Sequence, residues 1–231
     1  RALNLLSGTQ KAISTEYGAK NVVTYFSVDG SPVVPRRTVV ATASCNRCHT
    51  NLSLHGTNRN QVEMCELCHN PGETDKARRP VATVPADKNT PPQAISFAYL
   101  VHRIHTGEEL KAMGADYTVV GFGGSHNDFT EVRYPPFSPA GAVGDRRNCA
   151  MCHVNGSESV LPTGKNAMVN PQSPVNPTPI VTAACTGCHA SMSTLAHAVN
   201  NTAQLSGKTV EACETCHGPS AEFSVTRAHA R

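Results

Sequence analysis

The sequence predicts a multihaem cytochrome-type fold of low regular secondary structure, with short α-helices and long loops wrapped around a haem core that side chains alone cannot supply. A small β segment is predicted at the N-terminus. Three observations predict this class. Glycine and proline number 17 and 16 among 231 residues, and both residues interrupt helices and strands. Hydrophobic residues make up only 39% of the chain and tryptophan is absent, which is below the usual share for a globular core. All 10 cysteines fall in one repeated short motif.

The repeated motif is Cys-x-x-Cys-His. In chain order, motifs 1 to 5 are Cys45/Cys48/His49, Cys65/Cys68/His69, Cys149/Cys152/His153, Cys185/Cys188/His189 and Cys213/Cys216/His217. Two thiols at this spacing can add to the two vinyl groups of one porphyrin, and the next imidazole then binds the iron as proximal ligand, which is the attachment signature of c-type haem. Composition gives roughly 0.02 copies by chance. The motifs therefore predict five covalently bound haem c groups and their iron.

Paired cysteines have two other interpretations, a zinc site and a disulfide scaffold. Two Cys-x-x-Cys pairs build one tetrahedral zinc site, and an odd number of pairs does not divide in this way. Disulfides are common in exported proteins. Neither chemistry requires a histidine after every second cysteine, so haem attachment is the favoured interpretation.

The remaining histidines supply candidates for the second axial ligand. Of 11 histidines, those outside the motifs are His55, His102, His105, His126, His197 and His229. Low-spin electron-transfer haems often take a second histidine on the iron. The supply exceeds the number of motifs by one, so we expect most of these residues to be ligands.

The chain divides into two predicted segments. Residues 1–43 carry no motif, and β-branched and aromatic residues at 22–28 and 38–41 flank a turn signal at 29–32, which predicts a β-hairpin or linker at the end of a β-domain. Residues 44–231 are predicted to form a pentahaem cytochrome domain. Within it, residues 117–120 are strand-like and residues 192–199, around His197, are helical.

Residues 93–106 give the clearest helix signal. Prolines precede the segment, Gly107 follows it, and apolar residues recur inside it at helical spacing. His102 and His105 are three residues apart and project from one side of such a helix. The helix is therefore predicted to clamp two neighbouring haems, with a zinc-binding or surface histidine pair as the alternative.

Charge and hydropathy narrow the class of partner and the location. The formal charge is +3, and the arginine pairs at 36–37, 78–79 and 146–147 are isolated. We expect these pairs to be solvated, with pairing to haem propionates as the alternative. No basic cluster predicts a nucleic acid partner. No apolar run approaches the roughly 18 residues of a membrane span. Because haem is attached covalently outside the cytoplasmic membrane, we expect an extracellular or outer-membrane surface location, with the periplasm as the alternative.

Several stretches resemble the OmcA/MtrC family of outer-membrane decahaem cytochromes. They include Pro35-Arg36-Arg37, Cys45-Asn46-Arg47-Cys48-His49, Leu54-His55-Gly56, Asn58-Arg59, Cys68-His69-Asn70-Pro71, Val101-His102-Arg103-Ile104-His105-Thr106-Gly107 and Glu131-Val132-Arg133-Tyr134-Pro135. The resemblance implies one pentahaem half of such a protein, following a β-barrel-like domain. It also implies that His55, His102, His105, His197 and His229 are the distal ligands, which leaves His126 as the spare.

The same resemblance implies a function and partners. It implies electron transfer to extracellular acceptors such as ferric and manganese minerals, soluble chelates, flavins or electrodes, with other multihaem cytochromes or an outer-membrane conduit complex as partners. The family has a separate non-haem cysteine pair, but every cysteine here belongs to a motif. Disulfide-based redox control is therefore not expected.

Three functions are compatible with five haem motifs. We favour an electron carrier over an enzyme, because haems with two axial histidines leave no open iron position for substrate. A multihaem reductase, such as a pentahaem nitrite reductase, needs an open position, often at a Cys-x-x-Cys-Lys variant that this chain lacks. A subunit of an extracellular cytochrome filament, a homo-polymer, is the further alternative.

Overall fold

The computed structural model describes residues 18–135, 145–159 and 167–229, together with the backbone of residues 2–4 and 13–15. Its helices are α1 (Thr42–His49), α2 (Val62–Cys68), α3 (Phe97–His105), α4 (Gly107–Ala112), α5 (Ile180–Thr186), α6 (Met192–Asn200), α7 (Cys213–His217) and α8 (Val225–His229). The longest of these have nine residues. Short 3-10 turns and loops connect them, and this confirms the predicted fold class of short helices and long loops.

The strands form three separate antiparallel ribbons. Strands β1 (Ala2–Asn4) and β2 (Ile13–Thr15) pair near the N-terminus, β3 (Thr118–Val120) pairs with β4 (His126–Asp128), and β5 (Thr202–Leu205) pairs with β6 (Lys208–Glu211). The strand predicted over 117–120 is thereby confirmed. In the part of the chain that the structure describes, no helix is long and apolar enough to cross a membrane.

The hairpin predicted from residues 22–28 and 38–41 is wrong. Both stretches lack strand structure, apart from an isolated bridge between Val40 and His153. Val22 and Val28 are 88% and 93% exposed, and a β-branched residue favours a strand only where a pleated, half-buried surface receives it. The pairing of β1 with β2 places the β structure of this region further toward the N-terminus.

The predicted helix over 93–106 is real but shorter. It begins at Phe97, because Gln93 and Ile95 pair with the segment 73–75: the Asp75 amide donates to the Gln93 carbonyl at 3.1 Å and the Ile95 amide to the Glu73 carbonyl at 3.0 Å. Gly107 follows the helix as predicted, after Thr106, and it is also the first residue of α4. A Cβ at Gly107 would lie 1.8 Å from the Phe129 carbonyl oxygen, so only glycine fits here.

A small aromatic core packs around α3. It contains Ala94, Tyr99, Tyr117, Met168 and Ala183. The Tyr117 hydroxyl donates to the Ala94 carbonyl at 2.7 Å, and burial raises the pKa of this phenol well above its usual value. The guanidinium of Arg103 lies 5.2 and 5.3 Å from the ring centres of Tyr99 and Tyr117, a cation–π arrangement. This core fixes the position of α3.

A buried ion pair lies beside that core. Arg79 is 4% exposed and Asp75 is 1% exposed, and the guanidinium donates two bonds to the carboxylate, at 2.9 and 2.7 Å. The expectation that all three arginine pairs are solvated is therefore wrong for Arg79. The same carboxylate accepts bonds from the amides of Gln93 and Val120 at 2.8 and 3.0 Å, so it joins the chain before α3 to strand β3.

Candidate functional site

Each motif forms one helical turn, which places its two thiols and its imidazole on one face. Motif 1 ends α1, motif 2 ends α2, motif 3 begins in a 3-10 turn, motif 4 begins in the last turn of α5, and motif 5 forms α7. Residues i, i+3 and i+4 share a helix face. In motifs 2, 3 and 4 the turn is closed by a bond of 2.9 Å from the histidine amide to the carbonyl of the first cysteine. Local structure alone therefore builds the attachment geometry.

In motifs 2 and 5 the two thiols differ in exposure. Cys68 and Cys216, the second cysteines of motifs 2 and 5, are exposed, whereas Cys65 and Cys213, the first cysteines of the same motifs, are half-buried. The Cys216 side of α7 is therefore not covered by the residues that the structure describes. Haem attachment through Cys216 stays a prediction, which this placement permits.

Every motif histidine faces one of the other histidines. We call these pairs 1 to 5, after their motifs. Their ring centres are separated by 6.0 Å in pair 1 (His49–His105), 6.1 Å in pair 2 (His55–His69), 6.2 Å in pair 3 (His102–His153), 6.0 Å in pair 4 (His189–His229) and 6.1 Å in pair 5 (His197–His217). The tertiary structure thus brings together histidines that are up to 56 positions apart in the sequence (49 and 105).

The spacing fits one iron between two imidazoles. A metal–imidazole bond of about 2 Å on each side, plus about 1.1 Å from each nitrogen to its ring centre, gives roughly 6.2 Å. A porphyrin iron has two axial positions for protein ligands. Among the described residues, no three His, Cys, Asp or Glu side chains gather around one point. Each pair therefore offers the two ligands that a porphyrin leaves to the protein.

The second ring nitrogen of several pair members is held by a hydrogen bond. Nδ1 of His69, His105, His217 and His229 lies 2.8 to 2.9 Å from a backbone carbonyl oxygen, and Nδ1 of His153 lies 3.2 Å from the Ser157 hydroxyl. A proton on Nδ1 that is donated to such an acceptor leaves Nε2 with its lone pair for a metal. The bonds therefore fix the tautomer that ligation needs.

Burial keeps the more enclosed imidazoles neutral. It lowers the pKa of His102 to about 4, with smaller contributions from His153 and His105. Burial also lowers the pKa values of His49, His153 and His189 below the ordinary histidine value. Neutral imidazole is the form that binds a metal, so these sites are prepared for ligation at neutral pH.

The partner histidines come from different local structures. His102 and His105 lie on α3, His197 on α6 and His229 on α8, and α6 confirms the helix predicted around His197. His55 lies in a tight turn instead, with a φ of 52°. Such a φ is uncommon for a residue other than glycine and is frequent at functional sites. Although His55 is close to His49 in sequence, the turn directs it to His69.

His126 lies apart from the imidazole pairs that the described residues form. It belongs to β4, and its Nδ1 lies 2.6 Å from the carboxylate of Asp87. Asp87 is 5% exposed and belongs to the 3-10 turn that packs near Arg79. His126 is therefore held by a carboxylate and not by another imidazole.

The segment 95–106 touches four motifs. The His69 ring and the Phe97 amide connect it to motif 2, through bonds of 2.8 and 2.7 Å. Its own His105 and His102 face motifs 1 and 3. The Thr106 hydroxyl donates to the Cys188 sulfur of motif 4 at 3.3 Å. The helix predicted to clamp two sites therefore organises four.

Glu211 connects motif 5 to motif 4, and its carboxylate was not recognised from the sequence. It accepts bonds from the Val181 amide at 3.0 Å and from the Thr182 amide and hydroxyl at 2.7 Å each. These groups lie in the first turn of α5, where unpaired amides favour an anion. A carboxylate two residues before a motif carries no sequence signal for this role.

Tyr134 is a second residue at the site for which no role was predicted, although residues 131–135 belong to the stretches that resemble the family. Its ring lies 6.0 Å from the ring of His105. Burial, followed by the neighbouring thiols Cys152 and Cys48, raises the pKa of its phenol to about 12. Tyr134 thus lies between motif 1 and motif 3.

These observations define the class of the protein. Five Cys-x-x-Cys-His turns, each facing a second imidazole, in a fold of short helices and loops, are typical of a multihaem c-type cytochrome. A family model for MtrC/MtrF-like outer membrane cytochromes, domains II/IV, matches residues 37–230. The chain belongs to this family.

A search of solved structures found a crystal structure of the outer membrane decahaem cytochrome OmcA, with 24% identity and a TM-score of 0.47. The match covers 85% of this chain and 24% of that one, so the chain spans about a quarter of the length of the structure it matches. No curated protein matches the chain.

Proposed function

We propose that this chain is a pentahaem electron carrier in which every haem has two axial histidines. Cysteine pairs of the motifs, from Cys45 and Cys48 through to Cys213 and Cys216, would attach the porphyrins. The motif histidines would be proximal ligands, and His55, His102, His105, His197 and His229 would be distal ligands. One observation carries the proposal: five imidazole pairs recur with ring centres 6.0 to 6.2 Å apart. When bound, the haems supply a one-electron couple at each site.

The residues of this chain close and tune those sites. Two imidazoles at each site leave no axial position for a substrate, which favours a carrier over a reductase. Nδ1 hydrogen bonds strengthen the imidazoles as ligands. The small protein core and the long loops leave most of the buried apolar surface to be supplied by porphyrins.

We infer a linear order of sites, 2–1–3–4–5, from the thiols of one motif that act electrostatically on those of another. The Cys152 and Cys65 thiols both raise the pKa of Cys45, after the larger effect of burial, which supports placing motif 1 near both motif 2 and motif 3. The Cys188 thiol acts in the same way on Cys149, which joins motif 3 to motif 4. Cys213 likewise acts on Cys185, which joins motif 4 to motif 5.

Further proposals concern the place of the chain in the cell. We propose that residues 44–231 form the cytochrome domain and that residues 1–43 form the end of a preceding segment. Membership of an outer membrane cytochrome family supports a location at the cell surface. The proposed acceptors are extracellular oxidants such as metal oxides, flavins or electrodes, and the proposed donors are other multihaem cytochromes.

Mass and spectroscopy of the purified protein test this proposal. Intact mass should show five covalent haem additions, and the oxidised protein should give only low-spin haem signals. Reduced protein should bind no carbon monoxide and should transfer electrons rapidly to a soluble ferric chelate. Fewer than five haems, or a high-spin haem in the native protein, would refute the ligand scheme and favour a reductase.

A further inference from the structure

Motif 4 differs from the other motifs at the residue before its second cysteine. This residue is glycine, Gly187, whereas the corresponding residues of motifs 1, 2, 3 and 5 are Arg47, Leu67, Met151 and Thr215. Gly187 has no positive φ that would require glycine. The residue that packs against Gly187 therefore explains why glycine is present.

The neighbour of Gly187 is His102, the partner of the motif 3 histidine. A Cβ at Gly187 would lie 2.9 Å from the Cβ of His102 and 3.4 Å from its Nδ1. Real Cβ atoms do not approach other atoms as closely as the first of these distances. The imidazole of pair 3 therefore rests directly on the backbone of motif 4.

His102 also lacks the support that other pair members have. Its Nδ1 is buried and has no hydrogen-bond partner among the described residues. By contrast, the rings of His69, His105, His153, His217 and His229 are each held through Nδ1. Close packing is therefore what orients the His102 ring, and Gly187 provides part of that packing surface.

We propose that Gly187 is a positioning residue for pair 3, so that the attachment turn of one haem site sets the distal ligand of the next. This inference rests on the proposed function, because it takes His102 to be an iron ligand. It gives a physical connection between sites 3 and 4 that is independent of electron transfer.

The expected displacement is large compared with a metal–ligand bond. An ordinary carbon–carbon contact is about 3.5 to 4.0 Å, so a methyl group at residue 187 must move His102 away by roughly 0.6 to 1.1 Å. The contact is with Cβ, at the root of the side chain, and rotation about χ1 or χ2 does not relieve it. A metal–imidazole bond is only about 2 Å long, so a displacement of this size weakens or breaks it.

The test is the Gly187→Ala variant, purified with its haems attached. We expect five haems by intact mass, one of which becomes high-spin when oxidised and binds carbon monoxide when reduced. The matched control is Thr215→Ala, which places alanine at the same point of motif 5 and should leave every haem low-spin. A fully low-spin Gly187→Ala variant that retains five haems would overturn the inference.

A double variant separates this inference from the proposed function. His102→Gly removes the Cβ that clashes, so adding Gly187→Ala to it should change the spectrum and stability no further. If Gly187→Ala alone fails to fold, the double variant should recover folding, and failure to recover would overturn the inference. If His102→Gly leaves every haem low-spin, the ligand assignment in the proposed function is what fails.

Discussion

Removing the carboxylate of the buried Asp75–Arg79 pair should destabilise the support of α3. In Asp75→Asn the Arg79 guanidinium loses a charged partner that is 1% exposed. The new amide also presents NH2 to groups that are themselves donors, the Arg79 guanidinium and the amides of Gln93 and Val120. Breaking such a buried pair by removing one partner costs about 3 to 5 kcal/mol.

Urea unfolding measures this loss. With a slope of about 2 kcal/mol per M, the midpoint should fall by about 2 M, as followed by circular dichroism and by the low-spin haem bands. Glu131→Gln is the control, since the Lys111–Glu131 pair is 51% and 81% exposed and should be worth less than about 1 kcal/mol. An Asp75→Asn loss as small as that of the control would show that the buried pair does not anchor α3.

A double variant tests whether the loss of stability comes from the unpaired Arg79 charge. Asp75→Asn with Arg79→Met leaves no buried cation, so its loss should be smaller than the sum of the two single losses. Additive losses would mean that the two side chains act independently, which contradicts the two hydrogen bonds between them.

Three further predictions concern the ligand pairs and the small core. His55→Ala should make the haem of motif 2 high-spin, whereas His126→Ala should leave all haems low-spin. Resonance Raman spectra of the two variants measure the spin states. A high-spin haem on motif 1 in His55→Ala would contradict the pairing of His55 with His69. The ring planes of pairs 2 and 3 are 23° and 14° apart, whereas those of pairs 1 and 5 are 82° and 83° apart. Parallel ligand planes separate the energies of the iron π-type d orbitals and perpendicular planes do not, so electron paramagnetic resonance should show two classes of low-spin ferric haem. A single class would count against these ring orientations. The chain produced without haem attachment should be largely unfolded by circular dichroism, since few apolar side chains are buried, and a native-like spectrum would show that the protein core suffices.

Much of the site could be predicted because haem attachment is local. Two thiols and an imidazole within five residues meet on one helical turn, and no distant contact is needed. The α3 histidines were also predictable, since helical spacing alone places them on one side. The first residue of α3 was not predictable, because residues 73–75 form hydrogen bonds with the residues before Phe97 and keep them out of the helix.

The incorrect predictions for residues 22–28 and for Arg79 also arise from contacts between different segments of the chain. Residues 22–28 have the composition of a strand, but β structure requires a partner that sequence composition does not supply. Arg79 was expected in solvent although Asp75 lies only four residues away, because the burial of Arg79 depends on further acceptors at Asp87, Thr90 and Thr118. Burial of this kind requires segments that are further apart in the sequence to meet.

The positions of the five Cys-x-x-Cys-His motifs follow from the amino-acid sequence alone, because the groups of each motif lie within a single turn of the chain. Packing between distant segments sets which histidine faces which motif, pairs His126 with Asp87, and brings segment 95–106 into contact with four motifs. It also decided that Cys216 is exposed while Cys213, in the same turn, is half-buried. The two members of each pair come from separate parts of the chain, so tertiary packing decides their pairing: α3 supplies His102 and His105, and α6 and α8 supply His197 and His229.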